Sequence, residues 1–455
     1  MAGRSLFWFR RDLRLADNPA LLDAISAADE TLLLFIIDQS VADRAGEYRR
    51  AYLADSLAKL DEAVGGRLAV MTGPPAAVLR DVAGTYHITS IHAAREFAPY
   101  GVQAEADIND AGIEIEYTGS IYAIAPGRVQ KPDGSNYRVY SPFFKARRSH
   151  GWRAPFATPV SPRFIQPSRA DRQFPTWSSP AKVLLQEAGE VAALDRWRAF
   201  MGGGLSSYDE FRNIPGVDGT SRLSPHLRWG EIHPRTILAG LNQTTAHEIF
   251  RKEIAWREFY ADVLYHNPLT SRQYYDPAFA AMRYDTPGQK FELWCSGNTG
   301  FPIVDAAMRQ LRLEGWMHNR TRMVVASFLV KDLHIEWQYG AAFFMKYLVD
   351  NDVASNSHGW QWTAGCGTDA SPYYRVFNPI EQGRRFDPEG NYIRRYIPEL
   401  RHLSSKDIHT PWEVLDGYSH GYPERIVDHA AERLESLKRL EEIRVAKEPH
   451  PLRHV

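Results

Sequence analysis

The chain has 455 residues, of which 44% are hydrophobic and 24% charged, as in a soluble globular protein with roughly two or three domains. Two cysteines are too few for a disulfide framework or a cysteine-rich zinc site, and no apolar stretch is long enough to cross a bilayer. A formal net charge of -1 means that any contact with nucleic acid depends on a locally basic surface. The N-terminus has no secretory signal pattern, so we expect a cytoplasmic protein.

Strand-like and helix-like patterns alternate in the first third of the chain. Short apolar runs with strand character cover 5–9, 32–37, 67–71, 88–92 and 113–117, and helical spacing of apolar residues covers 20–28 and 51–64. Buried strands that alternate with amphipathic helices predict an open, mostly parallel, Rossmann-like α/β sheet with helices on both faces. We expect this α/β domain to span residues 1–125.

The remainder of the chain has a different character. Residues 126–195 are rich in Pro, Ser, Arg and Lys with weak periodicity, which predicts a long interdomain linker. From 196 to 455 strand patterns nearly vanish, and helical spacing recurs at 246–264, 303–313, 320–333 and 341–349. The sequence therefore predicts an α/β domain, a linker and a larger all-α domain.

The first candidate ligand-binding segment is the run 219–225, which follows Tyr208 and contains Thr220, Ser221, Arg222 and Ser224. Hydroxyls and backbone amides at the start of a helix, with an arginine beside them, suit a diphosphate. An ordinary helix N-cap followed by proline explains the same residues equally well. The chain has no Walker motif and no glycine fingerprint of common nucleotide folds.

Glu253, Trp256 and Arg257 share one face of a predicted helix, because they are three and four residues apart. A flipped base needs stacking, hydrogen bonding and a counter-charge for the flanking phosphate, which these three side chains supply. A half-buried helix with a Glu–Arg surface pair is the ordinary interpretation, and the spacing alone favours it.

Two further segments combine residue types that are unusual for a helical core. Residues 315–323 place the Asn319 amide, the Met323 thioether and two guanidinium groups around one helix start, and 350–362 combine two acids, the Asn356 amide and two tryptophans. His318 has no partner at metal-ligand spacing, and the acids at Asp350 and Asp352 are not followed by the remainder of a calcium loop. We therefore expect organic ligands here and no metal.

Taken in order, these segments resemble the photolyase/cryptochrome family, and within it the class I cyclobutane-dimer photolyases. The resemblance covers nearly the whole chain, beginning at the FWFRRDLRL run of residues 7–15. It is strongest over 294–400, with the blocks TGFPIVDAAMRQL at 299–311 and GTDASPY at 367–373. It implies FAD bound in a folded conformation within the helical domain.

The resemblance also implies which residues bind FAD. Arg322 would pair with Asp350 beneath the flavin, Asp352 would bond the polar edge of the ring, and Asn356 would face flavin N5. An amide at that position adds no negative charge next to a ring that must remain a reduced anion. Plant cryptochromes carry Asp there, so Asn356 favours repair. The remaining FAD-binding residues implied by the family are Tyr208, Thr220, Ser221, Arg222, Leu223, Ser224, Phe250, Glu253 and Asn319.

The same resemblance implies a DNA substrate that contains a cyclobutane pyrimidine dimer. Trp256 and Trp362 would stack on the flipped dimer, Glu253 and Asn319 would hydrogen-bond the base edges, and Met323 would pack between dimer and flavin. Arginines at 257, 320 and 375 would bind the flanking phosphates. Excited FADH⁻ would give an electron to the dimer and recover it after ring opening, which makes the expected enzyme a deoxyribodipyrimidine photo-lyase, a carbon–carbon lyase. Glu253, Asn319, Met323 and Asn356 are the expected catalytic residues.

The family reduces its flavin through three tryptophans that run to the surface. Trp360 and Trp337 occupy the inner and middle positions here, whereas the outer position corresponds to Tyr284. Either Tyr284 or a nearby tryptophan such as Trp294 would be the last residue of this electron-transfer path. It is equally possible from the sequence that Tyr284 is an ordinary surface tyrosine without a role in electron transfer.

A second, light-harvesting chromophore would bind the α/β domain. The segment 95–101, with Glu96, and also Arg49 resemble members that bind 8-hydroxy-5-deazaflavin, and the Cys-Lys pair of some folate binders is missing near Thr270 and Ser271. Deazaflavin is therefore favoured over methenyltetrahydrofolate, and an empty site is the third alternative.

A blue-light cryptochrome that signals through a partner is the alternative function. Asn356, Trp256, Trp362, Met323 and the short charged end of the chain favour repair. A flavoprotein reductase would need a glycine fingerprint for nicotinamide, which the α/β domain lacks. We expect a monomer without an obligate protein partner, cytoplasmic and associated with the nucleoid through DNA, with no membrane contact.

Overall fold

The computed structural model describes residues 3–368 and 374–445. Its strands are Arg4–Phe9 (β1), Glu30–Ile37 (β2), Leu68–Thr72 (β3), Ser90–Ala93 (β4) and Glu116–Tyr117 (β5). The helices are Pro19–Ala27 (α1), Gln39–Ala42 (α2), Glu47–Ala63 (α3), Pro75–Tyr86 (α4), Pro99–Asp110 (α5), Tyr140–His150 (α6), Glu190–Gly202 (α7), Tyr208–Phe211 (α8), Ser224–Trp229 (α9), Pro234–Ala239 (α10), Thr245–His266 (α11), Gln289–Ser296 (α12), Pro302–Glu314 (α13), Asn319–Lys331 (α14), Trp337–Tyr347 (α15), Val353–Ala364 (α16), Pro379–Phe386 (α17), Asn391–Tyr396 (α18) and His429–Val445 (α19).

The five strands form one parallel sheet in the order β3-β2-β1-β4-β5. Alternate residues of β1 enter two apolar layers, with Phe7 and Phe9 in one and Leu6 and Trp8 in the other. A parallel strand covered on both faces needs such a nearly continuous apolar run. The predicted fold class, a parallel α/β sheet followed by a larger helical part, is confirmed.

The loop after β1 shows how the sequence positions polar groups beside the sheet. Arg14 is buried, and its guanidinium donates to the carbonyl of Gly230 at 3.0 Å. Gly230 has φ of 67°, and a Cβ at this position would lie 2.0 Å from the carbonyl oxygen of Arg11. Glycine is therefore required where α9 ends against this loop.

The contacts divide the chain into two compact units. The first comprises Met1–Asp209, Thr220–Pro268 and Lys346–Ala354, and the second comprises Glu210–Gly219, Leu269–Met345 and Ser355–Val455. The first unit holds the sheet, whereas the described residues of the second form helices and connecting segments. The boundaries predicted at residues 125 and 195 stay a prediction. No helix within the described ranges is long and apolar enough to span a membrane.

Stability is expected to depend on pH through His233, which precedes α10 and is buried in the first unit. Its Nδ1 accepts from the backbone N–H of Arg235 at 3.1 Å, and its Nε2 lies 3.0 Å from the carbonyl of Ser120. Burial lowers the pKa of His233 from 6.5 to about 3, although Asp17 opposes this shift. The unfolded chain therefore binds this proton at higher pH than the folded chain, and the free energy of unfolding should fall as pH decreases from 6.5 towards 3.

Urea unfolding at several pH values between 7.5 and 4.5 measures this dependence. His233→Asn retains a side-chain oxygen for the N–H of Arg235 and removes the titrating ring, so its unfolding free energy should vary less with pH. His150→Asn, at an exposed position, is the matched control and should retain the original dependence. An unaltered pH dependence in the His233 variant would contradict the assignment.

Candidate functional site

In the first unit, Tyr208 and Phe250 belong to a buried aromatic cluster with residues of α7. The ring of Phe250 stacks on Trp197 at 5.9 Å and meets the ring of Tyr208 edge-on at 5.1 Å. Phe200 packs edge-on against Tyr208 at 5.8 Å, and Leu223 joins the same cluster. The structure thus brings three of the predicted FAD-binding residues, Tyr208, Leu223 and Phe250, into one apolar cluster.

The segment 220–224 is held by Arg196 from α7. The Arg196 guanidinium donates to the carbonyls of Ser221 and Thr220 at 2.9 and 3.0 Å, and the Ser221 hydroxyl accepts from the backbone N–H of Leu223. Arg222 has φ of 49°, a left-handed conformation that is uncommon for a residue other than glycine. The phosphate role suggested for this segment stays a prediction.

On α11, Trp256 is only half-buried, and one face of its ring is covered by Tyr140. The two rings are parallel within 7°, with centroids 3.7 Å apart. Tyr140 is itself fixed because its hydroxyl donates to the carbonyl of Lys252 at 2.7 Å. Trp256 is thus a rigid aromatic surface, and Tyr140 is a contributor that the sequence analysis missed because it lies in the predicted linker.

Arg257 on the same helix donates to the carbonyls of Ile121 and Leu227 at 2.9 and 3.0 Å. Its guanidinium also lies over the ring of Tyr122 at 4.6 Å. These contacts tie α11 to two other segments of the first unit. The phosphate contact suggested for Arg257 stays a prediction.

Asp352 is buried and pairs with Arg11, whose Nη2 lies 2.5 Å from Asp352 Oδ2. Burial opposes ionisation of Asp352, but the nearby guanidinium groups of Arg11, Arg257 and Arg228 outweigh it and lower the pKa of Asp352 below its usual value. Asp352 is therefore an anion at neutral pH. Its predicted bond to the flavin ring would have to come in addition to this ion pair.

The two residues predicted for a second chromophore, Arg49 and Glu96, are both buried in the first unit. Glu96 lies 3.6 Å from Arg11, and burial lowers the pKa of Arg49 to about 10. Burial lowers the pKa of Arg228 to about 9, and the charges of Arg11 and Arg49 contribute to that shift. Arg49 is buried, Arg11 and Arg228 are half-buried, and Arg11 pairs with Glu96 and Asp352. These three arginines are named here the arginine cluster (Arg11, Arg49, Arg228).

In the second unit, α14 begins at the exposed Asn319, with His318 as its N-cap. Arg320 donates to the side-chain oxygen of Asn213 at 2.7 Å and lies over the ring of Phe386 at 4.4 Å. Its Nη1 is 4.0 Å from the sulfur of Met323, so the predicted residues of this helix are neighbours. Arg322 donates to the carbonyl of Met317 at 2.8 Å.

Two arginines that the sequence analysis missed lie near Arg320. Burial lowers the pKa of Arg320, and the positive charges of Arg212 and Arg385 lower it further. Arg385 on α17 is exposed, and Arg375, which lies before α17 in the chain, is exposed as well. A group of like charges held together in this way suits a polyanion, because phosphates relieve the repulsion. Arg212, Arg320 and Arg385 are more than 60 residues apart in the chain, so no local sequence pattern indicates that they are neighbours.

Helix α16 carries Asn356, Trp360 and Trp362. The side-chain amide of Asn356 donates to the carbonyl of Ala341 at 3.0 Å, which leaves its carbonyl oxygen as an acceptor for a ligand N–H. Trp360 is buried, and its ring meets those of Trp294 at 6.2 Å and Phe344 at 5.0 Å. Residues 369–373 of the family block lie outside the described residues.

The aromatic residues predicted for electron transfer are joined by one that was not predicted. Tyr274 meets the ring of Trp337 edge-on at 6.3 Å and stacks on the ring of Tyr284 at 6.3 Å. Tyr274 precedes α12 in a region without helical or strand periodicity, so the sequence alone offered no indication of it. The predicted roles of Trp337, Trp360 and Tyr284 stay predictions.

Each unit, taken by itself, offers side chains of the kinds that bind a flavin nucleotide. The first unit offers aromatic surface beside a hydroxyl-rich segment held by arginine, and the second offers an amide acceptor for a ring N–H beside buried tryptophans. Flavin enzymes use such groups to bind the ring and tune its charge. The chemistry of these residues therefore agrees with FAD binding.

Comparison with known proteins gives consistent matches along the chain. A family model described as the FAD binding domain of DNA photolyase matches residues 250–442, and a model described as DNA photolyase matches residues 5–161. The chain is 37% identical to a deoxyribodipyrimidine photo-lyase of Agrobacterium fabrum, over 95% of this chain and 96% of that protein. It is 38% identical to one of Streptomyces griseus, over 93% and 96%.

Solved structures agree over a similar extent. A bacterial class III photolyase from Agrobacterium tumefaciens superposes with a TM-score of 0.91 and 36% identity, over 98% of both chains. A cryptochrome from Synechocystis gives 0.87 and 28%, over 96% of this chain and 99% of that one. An archaeal photolyase from Sulfolobus tokodaii, solved with two FAD molecules, gives 0.83 and 27%, over 96% and 100%.

Proposed function

Since the chain belongs to the photolyase/cryptochrome family, we propose that it repairs cyclobutane pyrimidine dimers in DNA in a light-dependent reaction, as a deoxyribodipyrimidine photo-lyase. The observation that carries the proposal is the identity over nearly the full length with proteins of that name. Reduced FAD, when bound and excited, supplies the electron that opens the cyclobutane ring and then regains it. The protein residues bind, orient and shield the reactants.

We propose that FAD contacts the residues assigned from the family. Tyr208, Phe250 and Leu223 supply apolar contact, and the segment 220–224 binds the phosphates with backbone and hydroxyl groups. The contact of Asn356 with Ala341 fixes the side-chain orientation, so that its oxygen accepts from the flavin ring. Glu253, Asn319, Arg322, Asp350 and Asp352 are proposed for the remaining polar contacts.

The dimer is proposed to stack on Trp256 and Trp362, with hydrogen bonds from Glu253 and Asn319 and packing by Met323. The stacking of Tyr140 on Trp256 supports this role, because Tyr140 holds the Trp256 ring in one orientation before the base binds. For the flanking phosphates we propose Arg320 and Arg375 together with Arg212 and Arg385, and Arg257 in addition.

The sequence resemblance favours class I, and one similar solved structure is a class III photolyase. We propose dimer repair for this chain on the residues above, which do not distinguish between the two classes. We further propose a cytoplasmic monomer without an obligate protein partner.

A second chromophore is proposed at the arginine cluster of the first unit. Arg49 is buried and Arg11 and Arg228 are half-buried. Guanidinium groups withdrawn from water are stable only beside anions or strong acceptors, and Glu96 and Asp352 balance part of the charge. A deazaflavin with an acidic ring hydroxyl suits the remaining positive charge, and we favour it over a folate. The absorption spectrum of the protein reconstituted with each compound distinguishes the two.

Repair of a thymine-dimer oligonucleotide under blue light by the reduced protein, beside a dark control, tests the proposed function. Asn319→Ala should lower repair by about tenfold or more, because a hydrogen bond to the base edge is lost. Asn391→Ala is the matched control, since Asn391 is likewise an exposed asparagine at the first position of a helix, α18.

Light-dependent dimer loss that falls in the Asn319 variant and not in the Asn391 variant would support the proposal. If the protein binds and retains fully reduced FAD but leaves the dimer intact, the repair function is wrong. The cryptochrome alternative, which the similarity to the Synechocystis protein supports, would then replace it.

A further inference from the structure

Tyr274 lies in the second unit, beside the tryptophan expected to carry electrons outward. Its ring meets Trp337 at 6.3 Å with an interplanar angle of 83°, and it stacks on Tyr284 at 6.3 Å with an angle of 15°. Both tyrosines are half-buried, whereas Trp337 is buried. Among the described residues, the aromatic contact of Trp337 is with Tyr274, and Tyr284 is the next ring beyond it.

The phenol of Tyr274 has a carboxylate partner. Its hydroxyl donates to Oε1 of Glu336 at 2.8 Å, and Glu336 immediately precedes Trp337 in the chain. Glu336 is half-buried, so a proton that it receives can pass on to solvent. Burial raises the pKa of Tyr274 well above its usual value, with contributions from Tyr284 and Glu336, so the phenol keeps its proton until the ring is oxidised.

The tryptophans differ from Tyr274 in this respect. The indole nitrogens of Trp337 and Trp360 are buried, and no residue in the described part of the chain accepts a hydrogen bond from them. The indole of Trp294 donates to the carbonyl of Val325, which is not a base. An oxidised tryptophan at these positions therefore retains its proton and remains a strong oxidant. Oxidation of a phenol releases a strongly acidic proton, and Glu336 is positioned to accept it.

From this geometry we propose that Tyr274 is the terminal electron donor of light-driven flavin reduction and that Glu336 is its proton acceptor. The inference rests on the proposed function, because the light-excited flavin is the oxidant. Trp360 gives an electron to the excited flavin, and Trp337 then gives an electron to the oxidised Trp360. Tyr274 then gives one electron to Trp337, while its O–H bond breaks and a new O–H bond forms on Glu336. The products are neutral Trp337, protonated Glu336 and a neutral tyrosyl radical.

Tyr284 and Trp294, the two residues expected from the sequence to end the electron-transfer path, have surroundings that differ from those of Tyr274. Tyr284 contacts the cluster through Tyr274, and the carboxylate hydrogen bond is at Tyr274. Trp294 is fully buried between Phe291 and Phe343, at 5.8 and 5.5 Å, so an electron deficit there lies among rings that are hard to oxidise. Because the proton of Tyr274 moves to Glu336, the unpaired electron remains on Tyr274.

Time-resolved absorption and electron paramagnetic resonance of the FAD-loaded chain, illuminated with oxidised flavin, test the proposal. The wild type should yield a tyrosyl radical, and Trp radical decay should slow in D₂O. Tyr274→Phe retains the aromatic ring but removes the hydroxyl group, so the tyrosyl radical signal should be lost. Glu336→Gln retains a hydrogen-bond acceptor without its basicity, and the D₂O effect should disappear. Tyr339→Phe, at an exposed tyrosine of α15, is the matched control and should behave as wild type.

Loss of the tyrosyl signal in Tyr274→Phe, with Tyr284→Phe retaining it, would support the inference. A signal that persists in Tyr274→Phe and disappears in Tyr284→Phe would overturn it, as would flavin reduction with tryptophan radicals alone. Each of these outcomes leaves FAD binding and dimer repair intact. A chain that binds no flavin would overturn the proposed function and this inference together.

Discussion

Gly340→Ala is expected to abolish light-driven reduction of the flavin while leaving dimer repair by chemically reduced protein in place. Gly340 lies inside α15, one turn after Trp337, against the ring of Trp360. A Cβ there would lie 2.1 Å from Cη2 of Trp360 and 2.6 Å from Cδ2 of Leu329. Because this distance is too short for two carbon atoms, the buried ring of Trp360 must be displaced from its packed position, and electron transfer through it should fail.

Gly359→Ala is the matched control for this variant. Gly359 precedes Trp360 within α16, and nothing lies within 4 Å of a Cβ added there. Alanine in place of an unhindered helical glycine stabilises by about 1 kcal/mol, whereas overpacking at Gly340 costs about 1–3 kcal/mol. Flavin absorbance under blue light and thermal unfolding measure both effects. Normal photoreduction in Gly340→Ala would remove Trp360 from the electron path or show that its ring has room to move.

Arg147→Met is expected to lower the free energy of unfolding by about 3–5 kcal/mol, because it leaves a buried carboxylate without its partner. Arg147 on α6 and Glu258 on α11 are both buried, with Arg147 Nε 2.5 Å from Oε2 of the glutamate. The guanidinium also lies over the ring of Trp152 at 4.8 Å. The second oxygen of Glu258 accepts from the backbone N–H of Ala123 at 2.8 Å. One ion pair thus joins three segments of the first unit.

The neighbouring Arg148 provides the control for this loss. It is exposed and lies 3.3 Å from Glu248, a surface pair whose removal by Arg148→Met should cost about 1 kcal/mol or less. The double variant Arg147→Met/Glu258→Gln should recover part of the loss, since it removes the unpaired charge and keeps an acceptor for Ala123. Urea unfolding of the three variants measures the differences. Equal effects at positions 147 and 148 would contradict a buried ion pair.

Much of the fold was predictable from local patterns. The strands at 5–9 and 32–37 and the helices at 246–264 and 303–313 agree with β1, β2, α11 and α13 within a few residues. Parallel strands buried on both faces and long amphipathic helices leave strong periodic signals, because burial repeats with the backbone geometry. Family membership was also readable from the sequence, since the motif blocks lie in order along the whole chain.

The candidate site was less predictable where it depends on residues far apart in sequence. Tyr140 stacks on Trp256 from 116 positions away, and Tyr274 contacts Trp337 from a segment with no periodicity. Arg212 and Arg385 influence Arg320 although all three are separated by more than 60 residues. Side-chain spacing predicts neighbours only within one helix or strand.

By itself, then, the sequence determined the fold class, the helical character of the larger part, the family and the residue types available for flavin and DNA. Only the tertiary structure decided which aromatic ring contacts Trp337 and which carboxylate accepts a hydrogen bond from that ring's hydroxyl. It also decided which side chains hold Trp256 and Arg320 in place. The physical reason is that secondary structure follows from periodic burial along the chain. Contacts between distant segments, in contrast, depend on how those segments pack, and no short stretch of sequence encodes that packing.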